Sequence, residues 1–298
     1  MLSRTPMTIA VCCLLAAGSA QSSIPLRSAA TVHLVVPALI NGQGPFPFIL
    51  DTGADESGVY KWFAEKQGFT PGPATEIEGM TGKTTNPTYR LDSVTVDGRT
   101  IRNIVADSFP NRHDVEVEGG AIGNDLMDGS VTIFDFLCKT VEILPKPVDM
   151  KRVLTNDAHK VEGGTVVDGT QLSFPVEIGT AHGIAVLDTG SSDTRVNSAF
   201  VRAAGIDPTS AAFRAAEPIF GVNSNPTPSR RGPVGTVRFA GLTIPDAEVR
   251  VIDMSVYKSF GFGDGPAMIL GLDLMAGYRL VYDHEAKLFW FDRSKCGR

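Results

Sequence analysis

Histidine and cysteine are scarce in this 298-residue chain, and positive charge is in deficit. Five histidines, His33, His113, His159, His182 and His284, are scattered without an H-E-x-x-H pair, so a zinc site is not indicated. There is no G-x-S-x-G elbow for a serine nucleophile. Twenty-seven Lys and Arg against 33 Asp and Glu leave a net charge of -6, which argues against a nucleic-acid surface. Asp125, Asp128 and Gly129 lack the rest of a calcium loop. The glycine-rich 261–265 precedes Pro266 rather than opening a helix, so it reads as a loop and not as a phosphate cradle. No metal, cofactor or nucleic acid is expected. The basic trio Arg230, Arg231 and Arg238 reads as a solvated face.

The one concentrated apolar run lies at the start. Arg4 precedes an apolar core over 9–17, and Gly18-Ser19-Ala20 offers small residues for cleavage, so residues 1–20 read as an export signal. That core is short for a membrane span, and Gln21-Ser22-Ser23 follows instead of a charged stop. The expectation is export to a periplasm or the medium, without stable membrane insertion afterwards; an uncleaved anchor is the main rival. Val11 disfavours a lipoprotein reading at Cys12 or Cys13. Past this segment only Cys138 and Cys296 remain, either as a disulfide in an oxidising compartment or as two unpaired thiols. Propeptide removal between Gln21 and Ala30 stays open.

What the chain does contain is a repeat. Residues 51–71 read DTGADESGVYKWFAEKQGFTP, and 188–208 read DTGSSDTRVNSAFVRAAGIDP, with no gap between them. Identities fall at Asp51/Asp188, Thr52/Thr189, Gly53/Gly190, Val59/Val196, Phe63/Phe200, Gly68/Gly205 and Pro71/Pro208. A strand, turn and second strand precede each copy, as 35–50 and 174–187. Further on, 94–101 resembles 237–244, and 121–127 matches 269–275. The chain therefore divides into a unit at 30–147, a polar linker at 148–170 and a second unit at 171–293. Abundant glycine and proline suit short strands with tight turns, with one short helix per unit over 61–67 and 198–204. The fold class is all-β, with two pseudo-symmetric lobes in a single chain that needs no second copy.

If the units pair about a pseudo-twofold axis, Asp51 and Asp188 meet. Two carboxylates in contact cannot both ionise cheaply, so they share a proton and can activate water. Gly53 and Gly190 permit the tight turn, and the hydroxyls of Thr52 and Thr189 can bond across the seam. Ser191 is expected to add a hydrogen bond to its carboxylate where Ala54 cannot, making Asp188 the more readily ionised partner.

These motifs resemble the aspartic peptidases. FILDTGAD is similar to the retropepsin-like branch and AVLDTGSS leans towards pepsins; the tandem arrangement looks more like a bacterial exported retropepsin-like protein. The resemblance covers nearly the whole chain after the signal. It implies retropepsin-like β-barrel lobes in a bilobal acid-protease fold, and endopeptidase action on polypeptides with Asp51 and Asp188 as the catalytic pair. It also implies that Gly123 and Gly271 thread beneath the site. Hairpins that close over substrate are expected near Gly79, Met80, Thr81 and Gly82, and near Gly221 and Val222. The family's Arg after the threading glycine is replaced by Asn124 and Leu272, so its ion pair with Asp55 is missing. The alternative from another class is an inactive bilobal module that binds a peptide or protein.

Overall fold

The computed structural model describes residues 24–25, 27–28, 33–111, 116–220 and 226–296. The export segment, His113, Gly221 and Val222 lie outside the described residues. Within them, no helix is long and apolar enough to cross a membrane.

Two eight-stranded sheets repeat one topology. The first runs Arg27–Ser28, Leu34–Ile40, Gln43–Leu50, Gly120–Ile122, Gly58–Tyr60, Arg99–Phe109, Gly82–Val96 and Pro71–Gly79. The second runs Gly164–Thr165, Leu172–Ile178, Ala181–Leu187, Ala267–Leu270, Arg195–Val196, Leu242–Val251, Pro226–Phe239 and Arg214–Phe220. In each, an extra pairing curls the sheet back on itself: Leu39 opposes Thr95 in the first, and Val176 opposes Phe239 in the second. The equivalent hairpin turns are Asp97-Gly98 and Ala240-Gly241, where both residues take positive φ. That is the geometry matching the right-handed strand twist.

The expected helices form at Lys61–Gln67 and Ser198–Ala203. Gly68 ends the first in the left-handed region, and Asn197 caps the second by accepting the Phe200 N–H. Phe63 and Phe200 are the buried anchors on these helices. Each half also holds a four-residue helix directly after its threading glycine, Asn124–Met127 and Leu272–Met275.

A third, six-stranded sheet is built by both halves together. Ser130–Asp135 of the first pairs antiparallel with Tyr278–Asp283 of the second, Thr132 opposing Tyr282 and Asp135 opposing Arg279. Alternation along these strands splits their side chains between two layers. Phe134, Leu280 and Phe291 join the main core, while Ile133, Val281 and Trp290 face outward. Val148, Met150, Val153 and Leu154 cover that outer layer. The linker stretch is thus more ordered than its polar composition implies: it forms a helix at Met150–Val153, and its strand His159–Glu162 pairs with Leu288–Arg293. Buried Arg279 pairs with Asp292 at 2.7 Å in the same sheet. Cys138 and Cys296 are disulfide-bonded, with Cα atoms 5.2 Å apart, tying the first half to the segment that follows the strand Leu288–Arg293.

Candidate active site

Asp51 and Asp188 each sit at the C-terminal end of an apolar strand, Gln43–Leu50 and Ala181–Leu187. Their backbone N–H groups donate to Ile122 O at 2.9 Å and to Leu270 O at 3.1 Å, so each is anchored to the strand beside its own. The turns that follow interlock. Thr52 N–H donates to Thr189 Oγ1, and Thr189 N–H donates to Thr52 Oγ1, both at 3.0 Å. Each hydroxyl then donates to the opposite strand end, Thr52 to Leu187 O at 3.0 Å and Thr189 to Leu50 O at 2.7 Å. Both threonines are buried, so all four bonds are shielded from water.

The two glycines make the close approach possible. A Cβ at Gly190 would lie 2.4 Å from Asp51 Cγ, and one at Gly53 would lie 2.7 Å from Asp188 Cγ. Neither separation leaves room for a methyl group. Each turn packs on the carboxylate of the other half, and the two aspartates are hydrogen-bonded to one another. Gly53 N–H donates to Asp51 Oδ1 at 2.7 Å, and Ser191 N–H donates to Asp188 Oδ1 at 2.9 Å.

Electrostatically the pair is unequal. Burial first, and then the Asp188 charge, hold Asp51 well above the ordinary carboxylate range. Burial also raises Asp188, but the Arg195 charge and the hydrogen bond from Asp51 pull it back. The Arg195 charge thus favours ionisation of Asp188, whereas the Ser191 hydroxyl, which the sequence leads one to expect there, does not contribute. The Ser191 hydroxyl donates to Asp193 O at 2.9 Å rather than to the Asp188 carboxylate, because the turn aims it away. Arg195 was not foreseen. Its only trace in the sequence is that the gapless repeat sets it opposite Gly58.

Gly123 and Gly271 occupy equivalent places in the two halves, each directly before a four-residue helix. Gly123 N–H donates to Ser57 Oγ, which donates to Asp125 Oδ1 at 2.7 Å. Gly271 N–H donates to Thr194 Oγ1, which donates to Asp273 Oδ1 at 2.6 Å. Backbone bonds from Asn124 to Ala54 O and from Leu272 to Ser191 O stitch each segment to its turn. In place of an arginine, Asn124 donates to Thr52 O and accepts from Tyr282 OH, while Asp55 accepts two hydrogen bonds from Thr170.

The first hairpin, Pro71–Gly79 with Gly82–Val96, turns at Met80 and Thr81. It reaches the second half: Met80 packs against the cluster holding Ile219, Ile252 and Tyr257, and Ser259 Oγ donates to Glu78. The second hairpin, Arg214–Phe220 with Pro226–Phe239, occupies the equivalent place. The carbonyls of the two turns are also engaged, Gly53 O by Gln171 Nε2 at 3.2 Å and Gly190 O by His33 Nδ1 at 3.0 Å. Of the basic trio, only Arg238 is exposed; Arg231 is an ion-pair partner of Asp193, Glu248 and Asp273.

Compared with known families, the aspartyl protease profile matches this chain twice, over residues 36–126 and 174–274. The chain belongs to the aspartyl protease family. No curated protein matches it in sequence. Each of the two aspartyl protease matches contains one Asp-Thr-Gly turn, one hairpin and one threading segment. The tandem aspartyl protease lobes are the two repeats, each built round one eight-stranded sheet. Family membership makes the chain a peptidase of the aspartic type with polypeptide substrates.

Proposed function

We propose that the protein is an aspartic endopeptidase in which Asp51 and Asp188 share a proton and activate a water molecule in the cleft between the lobes. The observation that carries the reading is the mutual packing of the two carboxylates on each other's glycine, locked by the reciprocal threonine bonds. Asp188, relieved by Arg195, is the ionised partner, and Asp51 holds the proton. Asp188 takes a proton from water as the hydroxide adds to the peptide carbonyl carbon, and Asp51 gives its proton to the carbonyl oxygen. The tetrahedral diol then collapses. Asp188 returns its proton to the leaving nitrogen, the C–N bond breaks, and one diol hydroxyl gives its proton back to Asp51. The products are an acid and an amine, with no metal and no covalent enzyme intermediate.

An extended substrate pairs its backbone with the hairpin edges while alternate side chains face the two lobes. One chain supplies both aspartates, so a monomer suffices. Export through residues 1–20, to a periplasm or the medium, belongs to the same reading, and the Cys138–Cys296 bond supports it. Two observations favour the rival, a module that binds without cutting. The first hairpin already rests on the second half, and Gly53 O and Gly190 O are already engaged.

Cleavage of a denatured protein, scanned from acid to neutral pH, separates the two. The wild type is expected to cut and Asp51→Asn to lose at least about a thousandfold of that rate. Absence of cutting, together with no binding of a peptide whose scissile bond is replaced by a hydroxyl-bearing carbon, would move the assignment to the binding module.

A further inference from the structure

The two sides of the aspartate pair are chemically different. In the first lobe Ile49 pairs with Ala121, which pairs with Gly58. In the second, Val186 pairs with Ile269, which pairs with Arg195. Ile49 and Val186 lie two residues before their aspartates, and side chains alternate along a strand. Gly58 and Arg195 are therefore equivalent positions on the sheet face that carries the carboxylates. At Gly58 the Phe109 ring fills the space, 2.4 Å from where a Cβ would sit, beside Val35, Ile49 and Ala121. The first lobe thus offers an apolar wall and the second a guanidinium.

That guanidinium is poorly satisfied. Arg195 is only 8% exposed, and its Nε makes no hydrogen bond, although Asp193 Oδ1 lies 3.4 Å away. Asp193 is shared with two further arginines, Arg250 at 2.8 Å and Arg231 at 3.4 Å. Glu248 and Asp273 are engaged by Arg231. Arg195 Nη1 is left against the sulfur of Met80, at the tip of the first hairpin. A thioether is a weak acceptor, and the carboxylate paired with Arg195, Asp193, is shared with two more arginines. The hairpin tip therefore covers Arg195 with a group that any carboxylate would outbid.

We propose that Arg195 determines specificity by taking a carboxylate of the substrate when the hairpin lifts and Met80 withdraws, so that the enzyme prefers acidic polypeptide on the second-lobe side of the scissile bond. The inference rests on the cleavage reading given above. The fork of donors suits a carboxylate in two-point contact. Its source is an Asp or Glu side chain or the end of a polypeptide, and on the first-lobe side an apolar residue fits against Phe109.

The test is a set of matched peptides with Glu, Gln or Leu at each position around one scissile bond. Each is made with a free and with an amidated C-terminus. At one position the Glu peptide is expected to exceed its Gln twin in kcat/KM by at least about tenfold. Arg195→Met should bring that ratio to one, and Arg195→Lys should keep part of it; circular dichroism of both variants checks that they fold. A preference seen only with free C-termini assigns the chain end as the source. Binding of the same peptides to Asp51→Asn reads recognition without cleavage, so a wild type that cuts nothing yet binds Glu over Gln leaves Arg195's role standing while removing the proposed chemistry. Equal cleavage and equal binding of Glu, Gln and Leu peptides at every position, on either terminus, would overturn the inference.

Discussion

Thr52 and Thr189 exchange hydrogen bonds in both directions at 3.0 Å, hydroxyl to backbone, across the boundary between the halves. The arrangement satisfies two buried N–H groups that no strand pairs, and it sets the distance between the two neighbouring carboxylates.

Truncating either threonine leaves a buried N–H in the opposite turn and a buried carbonyl without partners. Thr52→Ala is expected to cost about 1–3 kcal/mol, and Thr189→Ala a similar amount. Because the two hydroxyls serve one network, the double variant should cost less than the sum of the singles. Chemical denaturation of the three variants measures this, and simple additivity would show that the two halves are not locked through this pair.

Gly190→Ala inserts a methyl group 2.4 Å from Asp51 Cγ, a separation at which a neighbour must move. The neighbour is the carboxylate itself. We expect at least about a hundredfold loss of cleavage rate, since a displacement of an ångström misaligns the reacting groups. A rate within a factor of two of wild type would mean that the turn tolerates a Cβ and that the close packing is not required.

Acidity should act on stability through Asp51. Its folded-state pKa lies well above the unfolded value, chiefly through burial and next through Asp188. The folded chain therefore holds the proton more tightly. The group's stabilisation is full below the unfolded carboxylate range and is lost as pH rises through the raised folded value. Asp51→Asn removes the ionisation, so it should melt higher than wild type at neutral pH, by on the order of 1 kcal/mol or more, with the gap narrowing in acid. Melting curves across that range decide the matter. Cleavage should fall on the alkaline side as the shared proton leaves the pair, with apparent values that belong to both carboxylates together.

The Cys138–Cys296 bond closes a loop of 158 residues and joins the first half to the segment just past Arg293. Replacing both cysteines with serine should lower stability by about 2–5 kcal/mol. Reductant should produce a matching fall in the melting temperature of the wild type and none in the variant.

The repeat made much of the fold legible. The strand pairs before Asp51 and Asp188, the helices anchored by Phe63 and Phe200 and the left-handed glycine at Gly68 follow from local periodicity and turn chemistry. These are interactions among near neighbours. The order of the 148–170 stretch was hidden, because Val148, Met150, Val153 and Leu154 are too sparse to form a pattern until the shared sheet gives them a face.

What the amino-acid sequence determined by itself was therefore the doubled unit, the position of one aspartate at the end of an apolar strand in each copy, and the glycine and threonine beside it. Only the tertiary structure decided that Ser191 turns from Asp188, that Arg195 lies beside it, and that Met80 closes over Arg195. The physical reason is that the site's geometry and charge come from groups distant in sequence, Met80 and Arg195 being 115 residues apart and Thr52 and Thr189 137. No local period records such contacts; they exist only once two independently patterned halves have docked and excluded water between them.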